Sequence, residues 1–141
     1  MADTFEKVSV TSDLAHRIIA AAEAKASEMG HPFVIAVVDE SGVLKAFSRM
    51  DGAALVAVQV AQDKAYTAIG FGLPTDAWYD FIKDDPPLAL GAPAAIDRLV
   101  VFGGGYPIVI DGKIAGGIGV SGGHYTQDMD VAKAGLSIAD G

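Results

Sequence analysis

The 141-residue chain reads as an α/β protein of the α+β type, with helices laid against an antiparallel sheet, and three observations carry that reading. Two pairs of β-branched runs are joined by short turns, Asp39-Glu-Ser-Gly42 and Asp111-Gly112, and strands that turn straight back pair antiparallel. Between and around them, apolar residues recur at the spacing of helices. Hydrophobic residues make up 51% of the chain and glycine supplies 17 positions, so helices and sheet are expected to approach closely. A doubly wound nucleotide fold needs parallel strands and is excluded.

Taken in order, Leu14, Ile18, Ala21, Ala22, Ala26 and Met29 define a first helix from Ser12 to Met29, with Ser12 or Asp13 as its cap and Gly30 and Pro32 as its stop. Strands Phe33 to Val38 and Val43 to Ser48 follow as a hairpin. A second helix spans about Ala53 to Ile69, its apolar stripe turning polar toward Gly70-Phe-Gly72-Leu-Pro74. Thr75 caps a short helix through Phe81. The stretch Asp84-Asp-Pro-Pro-Leu-Ala-Leu-Gly-Ala-Pro93 is too rich in proline for regular structure and is expected as a surface loop or lid. Three more strands are expected at Arg98 to Phe102, Tyr106 to Ile110 and Lys113 to Ser121, and a final helix from Thr126, Gln127 and Asp128 to Ile138. No composition shift or repeat divides the chain, so one domain over residues 1–141 is expected.

Composition removes several functions. The formal net charge of −8 would repel phosphate backbones, so nucleic acid is not an expected partner. With no cysteine there is no disulfide, thiolate metal site or cysteine nucleophile. The three histidines, His16, His31 and His124, have no metal-ligand spacing. The amino terminus has no basic segment followed by an apolar run, and no stretch of 18 apolar residues occurs, so a cytoplasmic protein without membrane attachment is expected.

Three segments could carry chemistry. Arg49-Met-Asp51-Gly52 joins a strand to a helix and reads either as a clamp for an anionic ligand, or as Asp51 capping the helix with Arg49 paired to it. Gly103-Gly-Gly105 lets a ligand or another chain approach its backbone closely, and no helix follows to make it a phosphate loop. The richest stretch runs Gly116-Gly-Ile-Gly119-Val-Ser121-Gly-Gly123-His124-Tyr125-Thr126-Gln127-Asp128. Its Ser121-Gly122-Gly123 turn enters a helix N-terminus and could present N–H groups to an anion or oxyanion. His124 beside it, with Asp128 four residues on, could serve as acid or base, as an axial haem ligand, or only as a solvent-exposed imidazole.

Val37-Val-Asp39 with Gly42 and Leu44, Arg49-Met-Asp-Gly-Ala53, Ala61-Gln-Asp-Lys64-Ala65 with Thr67-Ala68, Pro74-Thr75, Gly104-Gly105 with Pro107-Ile108, Asp111-Gly112, and Gly116 to Gly122 with Gln127-Asp128 together resemble the GlcG/HbpS-like, or haem-degrading domain, family. The resemblance covers nearly the whole chain. It implies a profilin-like three-layer α/β/α domain with a five-stranded antiparallel sheet, assembled as a homo-oligomer. It also implies a small-molecule ligand, haem in some members, while others sit among genes of catabolism. His124, Tyr66 and Tyr106 depart from the family pattern, standing where Thr, Arg and a small aliphatic residue are common. Three functions follow as expectations. One is binding of haem or a related ligand, with His124 as axial ligand and Arg49 or Lys64 pairing with propionates. Another is a cofactor-independent isomerase, hydratase or lyase with His124 as acid or base, Asp128 orienting it and Tyr66 or Tyr106 donating a proton. The third is an oligomeric scaffold. Arg49, Asp51, Lys64, Ser121, Gly122, Gly123 and His124 are the expected ligand contacts.

Overall fold

The computed structural model describes residues 2–140. Helix α1 (Ser12–Met29) begins one residue earlier in its capping than expected: Thr11, with extended backbone, accepts from the Leu14 N–H at 3.1 Å. It stops at Gly30, whose φ of 71° a residue with a Cβ adopts only under strain. Strands β1 (Val34–Asp39) and β2 (Leu44–Arg49) form the expected hairpin. The Asp39 carboxylate closes their turn by accepting from the Ser41 and Val43 N–H groups. Helix α2 (Leu55–Phe71) follows, then α3 (Thr75–Ile82), α4 (Pro86–Ala95), β3 (Gly105–Ile110), β4 (Lys113–Ser121) and α5 (Tyr125–Asp140). Asp111 and Gly112 both take positive φ, 51° and 77°, as a type I′ turn requires.

Among the described residues the sheet has four strands in the order β2-β1-β4-β3, all antiparallel, and not five. The expected strand Arg98 to Phe102 is irregular. Arg98 is forced to φ 64°, and the Thr67 hydroxyl on α2 takes the segment's backbone bonds, donating to the Arg98 carbonyl at 2.9 Å and accepting from the Val100 N–H at 3.0 Å. A side chain on a helix thus replaces a neighbouring strand. The proline-rich stretch expected as a loop is instead α4. Its prolines 86 and 87 occupy the first turn, where no N–H is needed, and Asp85 caps it by accepting from the Leu88 N–H at 3.3 Å.

Two faces of the sheet are covered. Ile35 and Val37 of β1, Ile108, Ile118 and Val120 meet Ile18, Ala22 and Ala26 of α1 and Val131 and Ala132 of α5. On the other face Val34 and Ala36 meet Ala57 and Ala61 of α2. Here the contact is almost backbone to backbone, because a Cβ at Gly117 would lie 2.5 Å from the Ala65 carbonyl oxygen, and one at Gly119 would collide with that of Ala61. The glycines of β4 and the alanines of α2 are two halves of one fit. No described helix is long and apolar enough to cross a membrane.

Candidate functional site

At one end of the sheet, the end of β4 and the start of β3 lie beside the N-terminus of α5. β4 leaves the sheet at Ser121, opposite Val34, and Gly122 turns the chain with φ 139°. The Gly122 carbonyl is tied at 2.8 Å to His31 Nε2. From α2, Lys64 reaches this point wholly buried. Its ammonium donates to Asp128 Oδ2 at 2.8 Å and to the Val120 carbonyl at 2.9 Å, and lies 5.0 Å from the centroid of the Phe102 ring. Asp128, 2% exposed, accepts from the Gly123 N–H with its other oxygen at 3.1 Å. Burial lowers the Lys64 pKa and raises that of Asp128, while the attraction between the two opposes both shifts. Gly104, φ 127°, is glycine because a Cβ there would sit 2.7 Å from the Lys64 nitrogen.

This pair changes what the sequence-derived residues can do. Both Asp128 oxygens are engaged by Lys64 and Gly123, so Asp128 does not orient the imidazole of His124 as expected. Lys64 is neutralised below Phe102 and does not offer a propionate contact. The Gly123 N–H goes to Asp128 and the His124 N–H to Gln127 Oε1 at 3.0 Å, so these two amides of the expected anion-binding turn are answered by the helix's own side chains. His124 is the cap of α5. Its Nδ1 lies 2.9 Å from Thr126 Oγ1 and 3.3 Å from the Thr126 nitrogen, Gln127 closes the reciprocal bond, and its ring rests 4.3 Å from that of Tyr125.

The remaining expected residues are dispersed. Tyr66 is exposed near the opposite end of the sheet, packed against Gly42 and 4.1 Å from the Arg98 guanidinium. That end of β1 is roughly 17 Å from Ser121 at the rise of a strand. The three residues that depart from the family pattern therefore do not converge. Tyr106, on β3 opposite Ile118, packs partly into the core with its hydroxyl buried and unpartnered. Burial, then the charges of Asp76 and Asp130, push its pKa up to about 12. Arg49 donates to the Ala53 carbonyl at 2.9 Å from Nη2, and α2 has no side-chain cap, so Asp51 does not cap it. Arg49 holds the loop before α2 closed and is not paired to Asp51 as a capping partner.

A cleft of about 460 Å³ opens next to this region, lined by Asp76, Tyr79 and Asp80 of α3, Val101, Phe102 and Gly103 before β3, and Tyr125 of α5. Of these residues, sequence reasoning singled out only Gly103, as a place where a ligand could approach the backbone. The one available signal was Asp76 and Asp80 at i, i+4, which places two carboxylates on one face of the short helix. Phe102 was read as strand, and nothing local says that the segment before Gly103 leaves the sheet. Among the described residues no three His, Asp or Glu side chains gather to hold a metal ion.

Known proteins resemble this chain in sequence and fold. The chain is 36% identical over 115 residues to protein GlcG of Escherichia coli, covering 82% of this chain and 83% of that protein. It is 34% identical over 122 residues to the corrinoid adenosyltransferase PduO of Salmonella typhimurium, covering 86% of this chain but only 36% of that longer protein. The crystal structure of a PduOC–haem complex superposes with a TM-score of 0.85 at 34% identity, over 93% of this chain and 95% of that one. The family model for the haem degrading protein HbpS-like matches residues 10–137, and the chain belongs to that family.

Proposed function

We propose that this chain binds haem or a closely related small ligand at the N-terminus of α5, with His124 as the residue that meets the iron. The observation that carries the reading is the Nδ1 contact to Thr126 Oγ1 at 2.9 Å. As the cap, Nδ1 accepts from the Thr126 N–H at 3.3 Å; ligation through Nε2 would move the imidazole proton to Nδ1, where Thr126 Oγ1 stands ready to accept it and fix the ring, at the expense of the cap. His124 is exposed, and its neighbour Tyr125 leads into the cleft, where Phe102 offers a second apolar face. An exposed imidazole beside two aromatic faces fits a haem group, and His124 would hold it. Bound there, the haem iron would supply a coordination position for a further small ligand. Lys64, matched by Asp128, is not free to pair with propionates, whereas Arg49 gives only Nε and Nη2 to the Ala53 carbonyl. The haem complex of PduOC supports the proposal by likeness. An acid/base enzyme built on His124, Asp128 and Tyr66 has no comparable support, because Asp128 is engaged by Lys64 and Tyr66 lies near the far end of the sheet.

Titration with haem at micromolar concentration tests it. A saturable Soret band is expected, lost in His124→Ala and weakened by about 10-fold or more in Thr126→Ala. A flat titration, or a band unchanged in His124→Ala, would overturn the assignment.

A further inference from the structure

The cleft has a chemistry of its own. Its lining holds two carboxylates, Asp76 and Asp80, and three aromatic rings, Tyr79, Phe102 and Tyr125, with no basic side chain. The nearest buried ammonium, that of Lys64, lies behind Phe102 and is already matched by Asp128. Asp80 makes one exposed pair, with Lys83 at 3.3 Å, of the kind that solvent weakens. Asp76 Oδ1 and the Tyr106 hydroxyl are buried and have no hydrogen-bond partner, and the two groups feel one another's field. A buried acceptor left unpaired is costly, and a carboxylate oxygen more so. Asp76 and Asp80 both line the cleft, so their field draws a positive charge into it, and the aromatic faces attract the same charge. An anion would meet repulsion throughout.

We propose that this cleft is a binding site for a small organic cation, a protonated amine on an aromatic or aliphatic body. Its ammonium lies toward Asp76 and Asp80, with its body against Phe102, Tyr79 and Tyr125. The volume, about 460 Å³, is that of a site for a small molecule. A bare metal ion is a poorer occupant, since no third carboxylate or imidazole joins the two. The inference goes beyond the haem reading and does not depend on it, because the carboxylates that select the cation, Asp76 and Asp80, take no part in that reading; the two ligands share Phe102 and Tyr125 and would exclude one another.

Calorimetric titration of the intact protein with phenethylamine, and in parallel with phenethyl alcohol and phenylacetate, tests it. The amine is expected to bind at least about 10-fold more tightly than the alcohol of the same shape, and phenylacetate not to bind. That preference should vanish in Asp76→Asn/Asp80→Asn and persist in His124→Ala, whereas the haem band should do the reverse. If the double variant fails to fold, Asp80→Asn alone, at an exposed position, should still cut the preference several-fold. Equal affinity for amine and alcohol, no saturable heat with the amine, or a preference intact in the folded carboxamide variants would overturn the proposal.

Discussion

Lys64 and Asp128 illustrate how one residue can be visible in a sequence and still be misread there. Lys64 stood out as a cation near a ligand site, and only its burial, with the ammonium matched by Asp128 and the Val120 carbonyl, shows it to be a fastener between α2, β4 and the start of α5. Removing one charge strands the other: Lys64→Met and Asp128→Asn should each cost about 3–5 kcal/mol in urea unfolding. Because burial opposes both charged forms, the double variant Lys64→Met/Asp128→Leu should recover most of that loss. Additive losses in the double variant would show that the two side chains are not coupled, against this account. His124 was legible as a special residue because of its glycine turn and following helix. Its partner was not, since the choice between Asp128 and Thr126 depends on which carboxylate the distant Lys64 captures.

Elements were most legible where local chemistry decides them. The Asp111-Gly112 turn and the Gly30 stop require positive φ, and the sequence supplies residues that take it. The expected fifth strand failed because Thr67, about 30 residues away, takes its hydrogen bonds, and no period in the segment itself can report that. Helix α4 was missed because prolines 86 and 87 were weighed as breakers without asking whether they fall in a first turn behind a capping Asp85. Glycines in the elements divide by surroundings. Gly119→Ala on β4 drives a methyl into the Ala61 carbonyl and should destabilise by about 2–3 kcal/mol, whereas Gly70→Ala on α2, with nothing within 4 Å, should stabilise by about 0.5–1 kcal/mol. Thermal midpoints of the two variants, moving in opposite directions, would check the contrast.

For the molecule as a whole, the antiparallel α+β architecture followed from hairpin signals, while the cleft did not, because its walls come from α3, the loop before β3 and α5, which meet only in three dimensions. The alkaline limit of stability belongs to this scale. Unfolded tyrosines titrate near about 10, whereas burial raises Tyr106 to about 12. The folded state therefore keeps a proton that the unfolded state gives up, and that stability is whole below about pH 10 and disappears as pH climbs to about 12. Of the four tyrosines, one should ionise late in absorbance titration, and Tyr106→Phe should soften the fall in unfolding free energy between about pH 9 and about pH 11.5. A wild-type and variant decline of equal slope would contradict this.

The glycine strand under α2 has a mechanical consequence. Side chains between a helix and a sheet act as a compressible bearing on which the two can slide by small amounts, and β4 has none at Gly117 and Gly119. With backbone seated on backbone, α2 and β4 move as one stiff plate, and Lys64 pins the beginning of α5 to it. Thr67 ties the segment before Gly103 to the same plate, and Tyr125 sits at the start of the pinned α5, so these walls of the cleft are held as one piece.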